Sequence, residues 1–378
     1  TLQIQRRALG RGQVLRDASA YNVQFVGTRP VFIDTLSFGP YIEGQPWSAY
    51  RQFCQHFLAP LAMMATVDPA LGELARTYID GVPLALAKSV LPLRARFKPG
   101  LLMHIHMHAR SEASAQAPAQ ANGGAPTAGV SKASALGARD RVMTRTAMLG
   151  LIDSLERTVG TLTWTPPDTL WSTYGTHLNY SESAQERKRQ LVARMLHSVA
   201  GATRVGMVWD LGANSGEYSR LAAKRGARVV SFDGDHAVVE QHFRHASERV
   251  DEQVLPLLQN LANPSPALGW NHSERRSLAD RGPADVAMAL ALIHHLAIGC
   301  NVPLDRIAWF FGNVCRRLIV EFVPKEDPQV RRMLSLREDV FGDYTQAAFE
   351  LAFGERFDMK ESAPIEGTVR TLYLMERR

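Results

Sequence analysis

At 378 residues the chain exceeds the ordinary size of one domain, so two folded units are expected. Its 46% hydrophobic and 21% charged residues exclude a disordered or fibrous protein, and no apolar run resembles a membrane span. The formal charge of +6 would tolerate a polyanion, but the cations are scattered in short groups such as Arg275-Arg276 and Arg331-Arg332, as on a solvated face, so a nucleic-acid partner is not favoured.

The opening Thr1-Leu2-Gln3-Ile4-Gln5-Arg6-Arg7 has neither the apolar core nor the cleavage site of a signal peptide and reads as a helix entered midway. Next comes Leu15-Arg16-Asp17-Ala18-Ser19-Ala20-Tyr21-Asn22, followed by Val31-Phe32-Ile33-Asp34. Asp17 and Asn22 have the spacing of a phosphotransferase catalytic loop, and Asp34 falls where a second metal-binding Asp would stand. This segment resembles the C-lobe of the protein kinase and aminoglycoside phosphotransferase superfamily. Three departures bear on activity: Leu15 holds the usual His position, Thr35-Leu36 replaces Phe-Gly, and nothing ahead of Asp17 supplies a Gly-rich lid or an ATP-binding Lys. The resemblance therefore implies an N-terminally incomplete kinase-like unit over residues 1–110: either a preceding segment supplies the nucleotide site, or the unit is a pseudokinase that binds substrate or partner. Turn and cap roles are the competing account of Asp17, Asn22 and Asp34.

After an initial strand pair this unit should be mainly helical. Apolar residues recur at helical spacing from Gln45 to Leu74 (Trp47, Tyr50, Phe53, Cys54, Phe57, Leu58, Leu61) and on through Ala70 to Leu91. His104, His106 and His108 would share one face of a strand and invite a metal reading, but no Cys or carboxylate clusters with them. A helix or strand end at the domain margin is expected there, and no metal site is assigned. From Ser111 to Gly137 large apolar residues almost vanish, as in a flexible linker.

Residues 138–378 are expected to form the second unit. Strand-like and helix-like runs alternate: Val205–Leu211, Arg228–Phe232, Val254–Leu258, Val286–Leu290 and Arg317–Val323 as strands, with Tyr218–Arg225, Ala237–Val250 and Pro303–Asn313 as helices. Such alternation predicts an α/β fold with a parallel sheet covered on both faces. Phe357–Ala363 and Thr368–Met375, around Glu366-Gly367, read as an antiparallel hairpin added to it.

The first strand runs into Asp210-Leu211-Gly212-Ala213-Asn214-Ser215-Gly216, where glycines let backbone approach a ligand closely. The spacing is not that of G-x-G-x-x-G, which counts against a dinucleotide. Some twenty residues on, Asp233 ends the second strand, where a ribose diol needs acceptors. Together Asp-Leu-Gly-Ala-Asn-Ser-Gly, Ser-Phe-Asp and Leu-Ala-Leu-Ile-His-His-Leu resemble a class I S-adenosylmethionine-dependent methyltransferase, with a Rossmann-like sheet, over roughly Trp171 to Arg378. Trp171–His177, Asn263–Trp270 and Glu321–Lys325 are similar to a bacterial group that includes nodulation methyltransferases.

The resemblance implies that Asp210 and Gly212, Ala213, Asn214, Ser215 and Gly216 hold the methionine part, Asp233 with Gly234 the ribose, and Asn260 with Leu261 the adenine. Leu292 and, from an N-terminal helical lid, Tyr174 complete the expected cofactor set, with His177 and Tyr180 as further lid candidates. Methyl transfer is an in-line displacement that needs alignment and exclusion of water more than catalytic side chains. If a hydroxyl is the acceptor a base is required, and His294 and His295 stand at the end of the fourth strand; plain packing of the strand-to-helix turn is the alternative. The expected acceptor is a small molecule or a glycan. Ile293-His294-His295-Leu296 replaces the Asn/Asp-Pro-Pro-aromatic tetrapeptide of base N-methylation, which argues against a nucleic-acid methyltransferase; RNA or protein methylation and a non-catalytic cofactor-binding scaffold are the alternatives. Three widely spaced cysteines favour a reducing cytoplasm.

Overall fold

The computed structural model describes residues 1–109, 143–167, 181–202, 205–249, 253–335 and 337–378. The chain divides into two units, Thr1–Gln24 with Pro30–Thr165 and Phe25–Arg29 with Pro166–Arg378. The expected linker, 111–137, and the lid candidates Tyr174, His177 and Tyr180 lie outside the described residues.

In the first unit α1 (Leu2–Gly10) buries Leu2, Gln5, Ala8 and Leu9 on one face, the spacing that a 3.6-residue period dictates. The buried Gln5 amide accepts the Leu15 N–H at 2.7 Å, tying α1 to β1 (Gln13–Leu15). β2 (Val23–Val26) and β3 (Arg29–Phe32) pair as a two-stranded sheet, and β4 (Phe38–Pro40) pairs antiparallel with β1. Helical turns follow, among them α2 (Ala59–Thr66) and α3 (Leu84–Val90). α4 (Arg145–Gly160) is capped by Thr144, whose hydroxyl accepts the Ala147 N–H at 3.2 Å.

α4 corrects the expected boundary at residue 138. Its buried stripe, Met148, Ile152 and Leu155, belongs to the core of Leu9, Phe53, Leu58, Leu101 and Ile105. Arg6 of α1 also reaches Asp153 and Glu156 at 2.5 and 2.6 Å. Composition marks a linker but not the side on which the next amphipathic helix will pack.

The histidine tract lies on helix, where alternate residues do not share a face. His104 is buried, with Nδ1 2.7 Å from the Tyr50 hydroxyl and Nε2 2.9 Å from the Ser154 hydroxyl. Burial lowers its pKa to about 4, so it is a neutral, satisfied core residue. Among the described residues no trio of His, Cys, Asp or Glu is placed to hold a metal ion.

The second unit is built on a seven-stranded sheet. Its strands are β5 (Met207–Leu211), β6 (Arg228–Asp233), β7 (Val254–Leu258), β8 (Ala284–Ala289), β9 (Cys315–Phe322), β10 (Phe357–Pro364) and β11 (Thr371–Arg377). They lie in the order β10-β11-β9-β8-β5-β6-β7. β7 to β9 run parallel through the centre, while β11 inserts antiparallel between β9 and β10. This is the Rossmann-like sheet of class I methyltransferases, with the expected C-terminal hairpin.

Both faces are covered. α5 (Glu182–Ala202) and α6 (Glu217–Ala223) bring Val192, Met195, Leu196, Val199, Ala222 and Ala223 onto one side. On the other, α8 (Leu304–Val314) and α10 (Gln346–Gly354) contribute Ile307, Phe311, Phe349 and Phe353; α7 (His236–Glu248) and α9 (Pro328–Leu334) complete the layers. Because β5 has β6 on one side and β8 on the other, successive crossovers leave in opposite directions from its carboxyl end. That switch point is where an open α/β sheet leaves a crevice.

Candidate active site

The turn after β5 sits in this crevice. Gly212 and Ala213 donate their N–H groups to the Phe232 carbonyl at 2.9 and 3.0 Å, which folds the turn towards β6. Gly212, Asn214 and Gly216 take φ of +77°, +47° and +75°, values suited to Gly and tolerated by Asn. Gly216 has a second constraint, because a Cβ there would fall 2.0 Å from Nε2 of buried His242 on α7. Burial lowers the His242 pKa to about 4, so an uncharged imidazole backs the turn.

Two carboxylates organise the floor. Asp210 is buried and accepts the Ser219 hydroxyl at 2.5 Å, while Ser231 donates to Ser219 at 2.8 Å. Burial raises Asp210 to about 6 despite the Ser219 bond. Asp233, at the tip of β6, accepts the Asn214 N–H at 2.9 Å and the Asp235 N–H at 3.0 Å. Burial also raises its carboxyl above the ordinary value, against the pull of these backbone donors. A carboxylate has about four lone-pair directions, so Asp233 can still accept from a diol.

These groups line a cavity of about 460 Å³. Of the expected cofactor set, Asp210, Gly212, Ala213, Asn214, Ser215, Asp233, Gly234, Asn260, Leu261 and Leu292 all face it. Gly216 stands behind, at the start of α6, against His242. Asn260 uses its side-chain oxygen to accept the Ala262 N–H at 2.9 Å, holding the turn after β7.

The two histidines part company. His295 lines the cavity; His294 is wholly buried outside its lining, with its ring centroid 4.0 Å from that of His295. Burial lowers His295 to about 4, with the Arg370 charge acting in the same direction, and holds His294 well below the ordinary imidazole value. Both are neutral near pH 7.

Sequence reading missed Gln185 and Lys188 of α5, Glu217 and Tyr218 of α6, and Asp235, Gln259, Ala291 and Cys300, all of which line the cavity. Glu217 and Tyr218 directly follow Gly216 and could have been read as the first helical turn facing the crevice. Nothing local marks Lys188, whose place depends on how α5 crosses the sheet. Ala291 has φ +53°, a strained setting for a residue with a Cβ, at the mouth of β8.

In the N-terminal unit Asp17, Asn22 and Asp34 do converge, around Ser37. The Asn22 amide reaches the Asp17 carbonyl at 3.5 Å and the Ser37 hydroxyl at 3.4 Å, while Ser37 donates to Asp34. Asp17 and Asp34 also accept the N–H groups of Ser19 and Leu36, two residues on, as turn residues do.

No protein-family model matches the chain. A solved structure of the bifunctional kinase-methyltransferase WbdD aligns at 17% identity over 52% of this chain, with a TM-score of 0.36. This chain covers 40% of that one, about two-fifths of its length. Magnesium protoporphyrin IX methyltransferase (ChlM) from Synechocystis PCC 6803 with bound SAH aligns at 16% identity, over 55% of this chain and 97% of that one, with a TM-score of 0.38. Overlaps this partial decide nothing about chemistry. Across all 378 residues the chain is 37% identical to nodulation protein NoeA of Rhizobium meliloti (strain 1021), of which it covers 76%. The chain belongs to the NoeA family of nodulation proteins.

Proposed function

We propose that the C-terminal unit is an S-adenosylmethionine-dependent methyltransferase acting on an oxygen or nitrogen of a small-molecule or glycan acceptor. The observation that carries this reading is the Asp233 carboxylate, bonded to Asn214 of the glycine turn and exposed with it to one cavity. Charge supports it too. Among the described residues lining the cavity, Asp210, Glu217, Asp233 and Asp235 face a single Lys188, which suits a ligand carrying a sulfonium and an ammonium. The same surroundings repel a phosphate backbone, which sets RNA methylation aside.

When bound, the cofactor supplies an activated methyl group. The chain's own part is to hold the ribose on Asp233, close the adenine side with Asn260 and Leu261, and keep water from the reacting atoms with Leu292 and Leu296. His295, neutral at the cavity wall, takes the acceptor proton as the new bond forms, and buried His294 fixes its ring. The N-terminal unit is read as a pseudokinase that helps recognition: Asp17 and Asp34 accept the backbone N–H groups of Ser19 and Leu36, and Ser37 bonds both Asn22 and Asp34. The cytoplasm is the inferred compartment, because three widely spaced cysteines are too few for a disulfide framework.

Isothermal calorimetry tests the shared premise. The chain should bind S-adenosylmethionine, and Asp233→Ala should weaken binding about a hundredfold, the scale of two hydrogen bonds to a charged acceptor. Unchanged affinity would remove Asp233 from the site.

A further inference from the structure

We infer that the N-terminal unit docks on an anionic lipid bilayer through the surface that runs from Leu93 to Met107. A tight helical turn (Leu93–Phe97) leads there into further helix over Pro99–Leu101 and Leu102–Met107. Ala95 is buried within the turn, while Leu93 and Phe97 on either side of it are 70% and 86% exposed. In the helix that follows, burial of Leu101, His104 and Ile105 turns Leu102, Met103 and Met107 to the solvent side. The turn and the helix pack against one another, so five large apolar side chains are presented together. Such residues are ordinarily scattered singly, and a contiguous group marks an interaction surface.

Cations are interleaved with them. Arg94, Arg96 and Lys98 are all exposed, and from Gly81 to Ser111 the sequence holds five Lys or Arg and no Asp or Glu. Carboxylates on neighbouring elements are engaged elsewhere: Asp153 and Glu156 of α4 hold Arg6, and Asp68 accepts the Ala70 N–H at 2.8 Å. Arg94 donates to the Thr66 carbonyl at 3.1 Å, which leaves Arg96 and Lys98 as the cations to vary.

This pairing of apolar and basic side chains selects the occupant. Acyl chains take up Leu, Phe and Met, while anionic headgroups, abundant on a cytoplasmic leaflet, meet Arg and Lys. RNA would satisfy the cations and leave the apolar residues wet. A second copy related by a two-fold axis would bring like charges together, because the same patch faces itself. No helix among the described residues is long and apolar enough to cross a membrane, so the contact made by this surface is peripheral.

Flotation of the full chain with vesicles of phosphatidylcholine, alone or with about 30% phosphatidylglycerol, tests the inference. Wild type should bind the anionic vesicles at least about tenfold more tightly than the neutral ones, and less tightly as salt rises. Arg96→Ala with Lys98→Ala should weaken binding about 25-fold, from about fivefold for each cation removed. Leu93→Ser with Phe97→Ser should weaken it at least about tenfold without lowering the thermal transition of the N-terminal unit, since both sites are exposed. Phe97→Trp should keep binding, and its emission relative to wild type should shift to the blue when anionic vesicles are added. Should the apolar double variant lower the transition, that emission shift decides alone. Absent flotation, equal flotation with both vesicles, or unaltered flotation in either double variant overturns the inference. So does a blue shift that grows with protein concentration before vesicles are added, which would assign the face to a second copy, or one produced by RNA and not by vesicles.

Discussion

His295 shows how burial sets the chemistry of a single residue. An imidazole in water is half protonated near pH 6.5, but here desolvation and the Arg370 charge lower the value to about 4. The base form is therefore present throughout the neutral range and is lost only as the pH falls through about 4. Methyl incorporation from labelled S-adenosylmethionine into a glycan and small-molecule extract should accordingly stay flat from pH 7 down to about 5. His295→Ala should keep cofactor affinity while slowing turnover by about 10²–10⁴-fold. An acid limb centred near 6.5, or retained turnover in the variant, would exclude His295 as the base.

At the scale of elements, the turn after β5 works only because α7 has left room for it. Gly216 needs both a left-handed backbone and the absence of a Cβ, since His242 fills the space behind it. Gly216→Ala should cost about 2 kcal/mol or more of stability, from left-handed strain plus the clash, and should weaken cofactor binding. Adding His242→Ala removes the clash but not the strain, so the double variant should recover part of the loss. A strictly additive double-mutant cycle by chemical denaturation would show that the two residues are not coupled. The buried chain from Lys188 through Glu321 and Arg370 to Asp327 is a second such device, joining α5, β9, β11's approach and the cap of α9.

For the whole molecule, two units with separate cores predict two unfolding transitions. Saturating S-adenosylmethionine should raise only the transition of the C-terminal unit, because a ligand stabilises the unit that binds it. Acid should lower both. His104 in one unit, and His242 and His295 in the other, have folded pKa values near 4 against about 6.5 unfolded, so the unfolded chain binds more protons between those limits and stability falls as the pH drops through them. Asp210, raised to about 6, and Asp233, also raised, act in the opposite sense, two carboxyls against the lowered imidazoles of His242, His294 and His295 in their unit. Scanning calorimetry at pH 7 and pH 5, with and without cofactor, checks both statements; a shift of both transitions by cofactor would refute the first.

Much of this was legible before folding. Alternating apolar runs located the central strands to within about three residues, because a buried parallel strand must be apolar along its length and its ends marked by small or charged residues. The glycine turn and Asp233 were legible too, since left-handed backbone and a strand-tip carboxylate leave a local signature. What local pattern could not carry was partnership at long range. Whether Arg145–Gly160 packs backwards or forwards, which of two adjacent histidines faces the cavity, and that Lys188 meets Glu321 across more than a hundred residues all depend on how helices cross the sheet. Those crossings minimise exposed apolar surface over the whole fold, and no short window of sequence contains that sum.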